Sequence, residues 1–298
     1  MNLHQMEIFH KLAITKSVTI TANELGIKQP TVSFHLKKLE EEIGVQLYNK
    51  RPNIFTLTPA GKMLQTYTAE ILSLVQETER VMKDYQTYRR GELLIGASHI
   101  PANYILPPVL SIFTEKNQNI HLSLTVQSTP ITVQMIKERK IDFGIVSEQN
   151  MHDDTLEIHR VTDDDLVLIL SPDHPLNTEK AITIDDLQGE KFILHKQGST
   201  REMINRWSQD ENIKLLIKME LSSIEAICTM VKMKSGISII SKRAVNTFIE
   251  HGHLVARPVP KMPVNRYISV IYRKDRPITP LMRQFISLVP GVQGNKWW

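Results

Sequence analysis

The feature that most constrains this chain is the stretch TKSVTITANELGIKQPTVSFHLKKLEEE, which runs from Thr15 to Glu42. It predicts two short helices joined by a tight turn. Gly26 follows the last apolar position of the first helix, where glycine forms a left-handed cap at little cost. Pro30 suits the beginning of the second helix, because the N–H group that proline lacks would have no partner there.

The second helix is predicted to have two different faces. Val32, Leu36 and Leu39 recur at helical spacing and form a stripe that can be buried. The opposite face carries Phe34 and Lys37, with hydroxyl groups on its flanks. A DNA-reading helix-turn-helix needs this arrangement, although an ordinary solvated helical hairpin has the same pattern.

Two short β-segments are predicted after these helices, at 45–48 and 54–57, with a turn at 49–53 between them. Behind a helix-turn-helix, such a hairpin is a wing. Lys50 and Arg51 lie in the predicted turn, where cations suit contact with phosphates or with the minor groove. Cations in exposed turns are more commonly only solvated, so this prediction depends on the neighbouring motif.

A long helix is predicted to begin at Pro59, after the capping hydroxyl of Thr58. Its heptad seam consists of Ala60, Leu64, Tyr67, Ile71, Leu74, Thr78, Val81, Tyr85 and Tyr88. A seam of this period favours pairing with a second helix, so the segment 59–90 is predicted to be a dimerising linker helix. Packing within its own domain is the alternative. Pairing would set two recognition helices about one DNA turn, ~34 Å, apart on a two-fold site.

The positive charge of the 298 residues is concentrated at the beginning of the chain. Residues 1–90 hold 12 Lys and Arg against 9 Asp and Glu, a balance of +3, whereas the remainder holds 24 against 23, a balance of +1. The excess therefore coincides with the predicted DNA-binding region. No export signal and no membrane-spanning apolar run is evident, and the single Cys228 excludes an internal disulfide. A cytoplasmic protein without membrane contact is expected.

From Gly91 onward the pattern changes to alternating strands and helices. Such alternation predicts parallel sheets with helices on both faces, and a segment of this length suggests two lobes. Lobe I is predicted to comprise about 91–162 and 267–298, and lobe II about 163–266. Ligands of such sheets bind where the strands end and the helices begin.

The first 66 positions resemble the LysR-type transcriptional regulators. The resemblance is carried by NELGIKQPTVSFHLKKLEEEIGVQLYNK followed by LTPAG, and QPTVS with LEEEIGVQLY at this spacing is a specific signature. The strand–helix pattern after residue 91 is similar to the effector domain of the family. The resemblance implies a multidomain α+β and α/β protein: a winged helix-turn-helix at 1–58, a linker helix at 59–90 and a two-lobed α/β effector domain at 91–298, similar to periplasmic binding proteins.

The resemblance also implies the partners of the chain. A regulator of this family is expected to bind double-stranded DNA at a two-fold promoter site and a small-molecule effector between the lobes. It is expected to be a homodimer through the linker helix and to form homotetramers on DNA. RNA polymerase is a further candidate partner, and no cofactor is expected.

The Gln-Pro pair of the family corresponds to Gln29-Pro30 in this sequence. The resemblance implies that the small polar residues after it, Thr31 and Ser33, contact bases or the DNA backbone. The sequence departs from the family at Phe34, where many members have an arginine, and at Lys28, where a serine cap is common. Phenylalanine contacts only apolar edges such as a thymine methyl group, so a different target sequence is expected. The predicted DNA contacts are Lys28, Gln29, Pro30, Thr31, Ser33, Phe34, Lys37, Lys38, Lys50 and Arg51.

The pattern of the family places the effector contacts at strand ends that face the cleft. In the segment GSTR, N–H groups at a helix start, two hydroxyls and Arg201 suit a carboxylate, sulfate or phosphate. A cation at a helix N-terminus opposes the macrodipole unless an anion joins it, so Arg201 favours an anionic effector. The serines are equally typical of plain helix caps. The predicted effector contacts are Ser98, His99, Ser128, Thr129, Ser147, Ser199, Thr200, Arg201 and Ser222.

Three alternatives compete with this interpretation. An enzyme is disfavoured because no HExxH, P-loop, GxSxG or paired-cysteine motif stands out, so no catalytic residue and no metal is predicted. The run Asp163-Asp164-Asp165 suits a metal site, but a solvated turn is the commoner origin of such a run. A solute-binding protein would need an export signal, and a sequence-blind architectural DNA-binding protein would not need the long α/β region.

Overall fold

The computed structural model describes residues 1–51, 54–86, 91–178 and 180–292. In this part of the chain, no helix is long and apolar enough to cross a membrane. The chain divides into two compact units, an N-terminal and a C-terminal one, with the division between Tyr88 and Arg89.

The N-terminal unit is a winged three-helix arrangement followed by a long helix. Its elements are α1 (Leu3–Thr15), α2 (Val18–Glu24), α3 (Gln29–Ile43), β1 (Tyr48–Arg51), β2 (Ile54–Leu57) and α4 (Pro59–Gln86). Asn2 and Gln5 form a reciprocal capping box at the start of α1. Gly26 has φ 64° in the turn between α2 and α3, the left-handed conformation that glycine adopts without strain. The core joins α1, α2 and α3 through Phe9, Ala22 and Leu36.

The hairpin of the N-terminal unit begins later than the sequence predicts. The residues 45–47 are not in a strand, and β1 pairs antiparallel with β2 from Tyr48 to Arg51. Leu47 explains the difference, because its side chain is buried in the core and its N–H donates to Glu40 Oε1 at 2.8 Å instead of to a strand. The predicted turn residues 49–51 therefore belong to β1.

The C-terminal unit contains ten strands and seven α-helices in its described part. Its strands are β3 (Glu92–Ala97), β4 (His121–Val126), β5 (Phe143–Glu148), β6 (Leu156–Asp163), β7 (Leu166–Leu170), β8 (Lys191–His195), β9 (Leu216–Leu221), β10 (Ser238–Ser241), β11 (Val255–Pro258) and β12 (Tyr267–Arg273). Its helices are α5 (His99–Tyr104), α6 (Leu106–Lys116), α7 (Thr129–Lys137), α8 (Ser199–Asp210), α9 (Ile224–Lys232), α10 (Lys242–Glu250) and α11 (Pro280–Ser287).

The strands of this unit fall into two groups, which we call lobe I and lobe II. Lobe I is a five-stranded sheet in the order β4-β3-β5-β12-β6. Lobe II contains a three-stranded sheet, β10-β7-β11, and the pair β8-β9. The chain crosses from lobe I to lobe II between β6 and β7, and it returns between β11 and β12.

The expectation of parallel sheets is only partly met. β3 is parallel to β4 and β5, and β8 is parallel to β9, but β12 is antiparallel to both β5 and β6. The chain forms β12 only after it has passed through lobe II, and it then enters the lobe I sheet from the end opposite to that at which β5 begins. β7 is likewise antiparallel to β10 and β11. As a result, the N-terminal end of β12 lies at the same edge of the sheet as the C-terminal end of β5.

Candidate functional site

A cavity of about 390 Å³ lies in the C-terminal unit, where residues from both lobes meet. Eight of the nine predicted effector contacts line it: Ser98, His99, Ser128, Thr129, Ser147, Ser199, Thr200 and Ser222. Ser147 is the penultimate residue of β5, and the others follow β3, β4, β8 and β9 directly or after a short segment. The carboxyl ends of these strands meet at the cavity, so the fold brings these residues together as the sequence predicts.

Ser147 is the centre of the hydrogen bonds on the lobe I side of the cavity. Its backbone N–H donates to Ser98 Oγ at 2.8 Å, and its carbonyl accepts from Thr129 Oγ1 at 2.9 Å. The side chain of Ser147 is only 1% exposed, and within the described part of the chain its Oγ has no hydrogen-bond partner. These contacts fix the ends of β3, β4 and β5 relative to one another.

Three helices of at least two turns begin at the cavity. α7 follows Ser128 and α8 follows Gly198, and neither of these capping residues makes a side-chain hydrogen bond to its helix. α9 differs, because Ser223 Oγ accepts from the N–H of Ala226 at 3.2 Å. The first N–H groups of α7 and α8 thus have no partner within the helix and carry partial positive charge.

Arg266 places a guanidinium group at the cavity, and the sequence patterns did not single it out. Its side chain is 4% exposed, its Nε lies 2.9 Å from Asp164 Oδ2, and its Nη1 donates to Thr200 Oγ1 at 2.8 Å. Asp164 is fully buried and also accepts from Ser241 Oγ at 2.5 Å. The N–H of Asp164 donates to the carbonyl of Arg266, so this ion pair joins the two segments that cross between the lobes.

Arg201 does not line the cavity, contrary to the prediction. Its Nη1 lies 2.6 Å from Glu220 Oε1 and also donates to the carbonyl of His195, while its Nε donates to Asn205. Glu220 belongs to β9, which pairs with β8 beside the start of α8. The carboxylate that balances the guanidinium is therefore supplied by the protein itself.

Two histidines line the cavity, one at the beginning of α5 and one at the end of β8. Burial, with a smaller contribution from Arg266 and His99, lowers the pKa of His195 to about 4. His195 is therefore neutral at pH 7 and can donate or accept one hydrogen bond. Glu225 also lines the cavity, and its carboxylate accepts from Ser223 Oγ at 2.9 Å.

The sequence patterns did not predict His195 and Arg266 as cavity residues, and the reasons differ. His195 is the last residue of β8, so the strand-end rule applies to it as it does to Ser98. Arg266 comes before a strand, and strand-end reasoning for parallel sheets excludes that position. It reaches the cavity because β12 is antiparallel to β5, with Tyr267 opposite Glu148.

In the N-terminal unit, α3 has the two faces that the sequence predicts. Val32, Leu36 and Leu39 are buried, whereas Phe34 is 62% exposed. Lys28, Gln29, Pro30, Ser33, Lys37 and Lys38 are also exposed, and Thr31 is half-buried. The backbone before α3 lacks a side-chain cap, in accordance with the lysine at position 28.

Two polar side chains on this surface, Gln29 and Lys37, contact neighbouring residues. Gln29 Nε2 donates to Thr19 Oγ1 at 3.0 Å, which ties the start of α3 to α2. Lys37 lies 3.6 Å from Glu41, an exposed pair one helical turn apart that holds the lysine only weakly. The side chains of Lys50 and Arg51 lie outside the described residues, so their predicted contacts stay predictions.

The helix α4 has an apolar stripe that the N-terminal unit does not cover. Tyr67, Ile71 and Leu74 of the predicted seam are exposed, and so are Met63 and Met82 near the same line. The positions Tyr85 and Tyr88 of the seam lie outside the residues whose side chains the structure describes. A long exposed apolar stripe is typical of a surface that pairs with another chain.

Two family models match the chain. The model of the bacterial regulatory helix-turn-helix protein of the lysR family covers residues 3–62, and the LysR substrate binding domain covers residues 86–292. A "Probable RuBisCO transcriptional regulator" of Cyanidium caldarium is 32% identical over 98% of this chain and 94% of its own length. The "RuBisCO operon transcriptional regulator" of Allochromatium vinosum is 30% identical over 97% of this chain and 95% of its own.

Solved structures agree with the fold. A full-length OxyR variant from Pseudomonas aeruginosa has a TM-score of 0.67 at 20% sequence identity, with 97% of each chain covered. Full-length CbnR in complex with its target DNA has a TM-score of 0.63 at 20% identity, covering 97% of this chain and 99% of its own. With an exposed recognition helix, a cavity between two lobes, and family models that match both units, the chain belongs to the LysR family of DNA-binding transcriptional regulators with an effector-binding domain.

Proposed function

We propose that this regulator reads a two-fold DNA site as a homodimer and that a small anion bound in the cavity between the lobes controls it. The cavity supports the second part of the proposal, because the uncapped N-termini of α7 and α8 and the buried guanidinium of Arg266 line the same space. The predicted domains support this division of labour: DNA reading at 1–58, pairing at 59–90 and effector binding at 91–298, with lobe boundaries near 162 and 266. In this proposal the chain acts in the cytoplasm and catalyses no reaction.

DNA reading rests on the exposed face of α3. Gln29 lies at the first helical position, where side chains of a recognition helix reach base edges. Phe34 presents an exposed aromatic ring on the same helix, and such a ring suits the methyl group of thymine. Thr31 and Ser33 offer hydroxyls, and the remaining predicted contacts suit phosphates. The cations proposed for this role are Lys28, Lys37, Lys38, Lys50 and Arg51.

Gln29→Ala is expected to reduce discrimination at one base pair of each half-site by about 1–3 kcal/mol, roughly 5- to 150-fold, because a side chain that hydrogen-bonds a base edge is removed. Phe34→Ala is expected to reduce the preference for thymine at a neighbouring position. The measurement is binding to a library of site variants at fixed salt, starting from a fragment found by genome-wide footprinting.

Lys37→Ala is the matched control on the same face of α3. Loss of a phosphate contact weakens binding uniformly across sequences and reduces the salt dependence, without changing the preferred base. An unchanged base preference in Gln29→Ala would contradict the proposed role of Gln29. A change of base preference in Lys37→Ala would contradict the phosphate role.

An anionic effector is supported by the charges around the cavity. The N-termini of α7 and α8 point partial positive charge at it, and the guanidinium of Arg266, which pairs with Asp164, adds N–H donors. The carboxylate of Glu225 also lines the cavity and opposes an anion there. Ser199, Thr200 and Ser222 supply hydroxyl donors on the lobe II side, and His99 and Ser128 supply polar groups on the lobe I side. Arg201 has no place in this site, since it does not line the cavity.

Arg266→Gln is expected to weaken binding of inorganic phosphate by at least about tenfold in calorimetric titration, since hydrogen bonds to charged groups contribute about 1.5–3 kcal/mol. Arg201→Gln removes an equal charge within the same lobe and is expected to change the affinity less than about twofold. Arg266→Lys keeps a cation beside Asp164 and guards against misfolding of the first variant. Unchanged phosphate affinity in both Arg266 variants, or equal losses in the Arg201 control, would overturn the assignment.

Self-association is supported by the exposed stripe of α4. Paired α4 helices would place two α3 helices on one side of a two-fold DNA site, as the family requires. We further propose that two such dimers form a tetramer on DNA and that RNA polymerase is a partner at the promoter. Sedimentation of the protein with and without promoter DNA measures the change in assembly.

A further inference from the structure

The turn between α2 and α3 brings a hydroxyl group of α2 against the first side chain of the recognition helix. Gln29 is the first residue of α3, and its Nε2 donates to Thr19 Oγ1 at 3.0 Å. Both residues are exposed. A hydrogen bond between exposed side chains adds little to stability, because water can replace either partner. Its main physical consequence is that it restricts the directions in which the amide of Gln29 can point.

The other hydroxyl groups at the beginning of α2 have partners within their own part of the fold. Ser17 Oγ accepts from a backbone N–H of α2 and caps this helix. Thr21 is buried, and its Oγ1 lies 2.7 Å from Oγ1 of Thr15. Thr19 differs from both, because among the described residues the partner of its hydroxyl is the side chain of Gln29. Thr19 therefore neither caps α2 nor supports the core.

The core holds Thr19 at a fixed place relative to α3. Ala22 of α2 and Val32 of α3 are buried in the same cluster. The N–H of Ile27 donates to the carbonyl of Ala22 at 3.0 Å, which closes the turn between the two helices. Threonine is also β-branched, so its χ1 angle is restricted. The acceptor that Gln29 uses is thus part of the packed frame of the N-terminal unit.

The amide of Gln29 keeps polar groups free while it donates to Thr19. A glutamine amide has two N–H donors and one carbonyl oxygen. One donation leaves one N–H and Oε1, and a bidentate contact with a base edge needs this pair of one donor and one acceptor. A glutamine side chain loses rotamer freedom when DNA orders it, and an amide that is already held in one direction loses less.

We propose that Thr19 is a positioning residue for DNA reading, whose hydroxyl holds the amide of Gln29 in the direction in which it contacts a base. Thr19 itself contacts no base. This inference rests on the base contact proposed above for Gln29, and it adds a residue of α2 to the determinants of sequence specificity. The preferred base would then depend on a side chain outside the recognition helix.

Thr19→Val removes the hydroxyl and keeps the shape of the side chain. In the full-length protein it is expected to reduce discrimination at the base pair that Gln29 reads by about 2- to 10-fold, because the amide must then be ordered on binding. Thr19→Ser keeps the hydroxyl and is expected to retain the discrimination within about twofold. The measurement is binding to the library of site variants at fixed salt.

A double variant tests whether the two residues act through one contact. Thr19→Val combined with Gln29→Ala is expected to discriminate no worse than Gln29→Ala alone, since the amide that Thr19 positions is then absent. Losses that add in the double variant would overturn the proposal. A loss in Thr19→Ser as large as that in Thr19→Val would also overturn it, because the serine hydroxyl is still present.

Two further outcomes separate this inference from the proposed role of Gln29. If Gln29→Ala changes the base preference and Thr19→Val does not, the positioning role is wrong and the base contact of Gln29 stands. If Gln29→Ala leaves the preference unchanged, both fail. Uniformly weaker binding of Thr19→Val to all sites would indicate a phosphate contact and overturn the positioning role. Thr19→Ala removes the same hydroxyl with a better helix former and replaces Thr19→Val if thermal unfolding shows that variant to be unstable.

Discussion

Leu74→Glu is expected to raise the dissociation constant of the homodimer at least about 100-fold and to weaken binding to a two-fold DNA site by roughly 10²- to 10⁴-fold. Leu74 is 48% exposed in the apolar stripe of α4, between Ile71 and Met82. A carboxylate in a paired-helix seam would be buried without a partner, which opposes pairing. A monomer holds one half-site only and loses the advantage of two linked recognition helices.

Sedimentation velocity measures the dimer, and fluorescence anisotropy with a labelled promoter fragment measures DNA affinity. Gln76→Glu is the matched control, because Gln76 is exposed and lies about 200° around the helix from Leu74. It adds the same charge to α4 outside the stripe and is expected to leave both quantities within about twofold. A dimeric Leu74→Glu with full DNA affinity would show that α4 does not hold the two chains together.

The features of the N-terminal unit follow closely from the sequence because they are local. The buried stripe of α3 and the start of α4 at Pro59 depend on residues within a few helical turns. The hairpin was misplaced by three residues at its beginning, since the burial of Leu47 depends on packing against the three-helix core.

The residues that line the cavity could be predicted only in part from local sequence patterns. Strand ends in a βα pattern predicted Ser98, Ser128 and Ser147 correctly as neighbours, because parallel strands end at a common edge. Arg201 and Arg266 required the topology of the whole C-terminal unit. The pairing of β9 with β8 brings Glu220 to Arg201, and the return of the chain into lobe I as β12 brings Arg266 to the edge. Neither arrangement has a signature in the spacing of nearby residues.

The run Asp163-Asp164-Asp165 illustrates the same limit. Three adjacent carboxylates are typical of a solvated turn, and the first and third are indeed exposed. Among the described residues, no group of three histidine, cysteine or acidic side chains is arranged to hold a metal ion. Asp164 is fully buried, because it is the point where both crossing segments meet and where Arg266 and Ser241 bind it. The three carboxylates therefore have different roles, which only the fold assigns.

Asp164→Ala is expected to lower the free energy of unfolding of the C-terminal unit by about 3–5 kcal/mol, because removal of one partner leaves a buried charge uncompensated. Arg266 would lose its carboxylate, and Ser241 Oγ would lose its acceptor. Urea denaturation followed by circular dichroism measures the change as a lower midpoint. Asp165→Ala is the matched control, since its side chain is exposed, and a change within about 0.5 kcal/mol is expected. Equal stability of the two variants would show that the Arg266–Asp164 pair does not join the lobes.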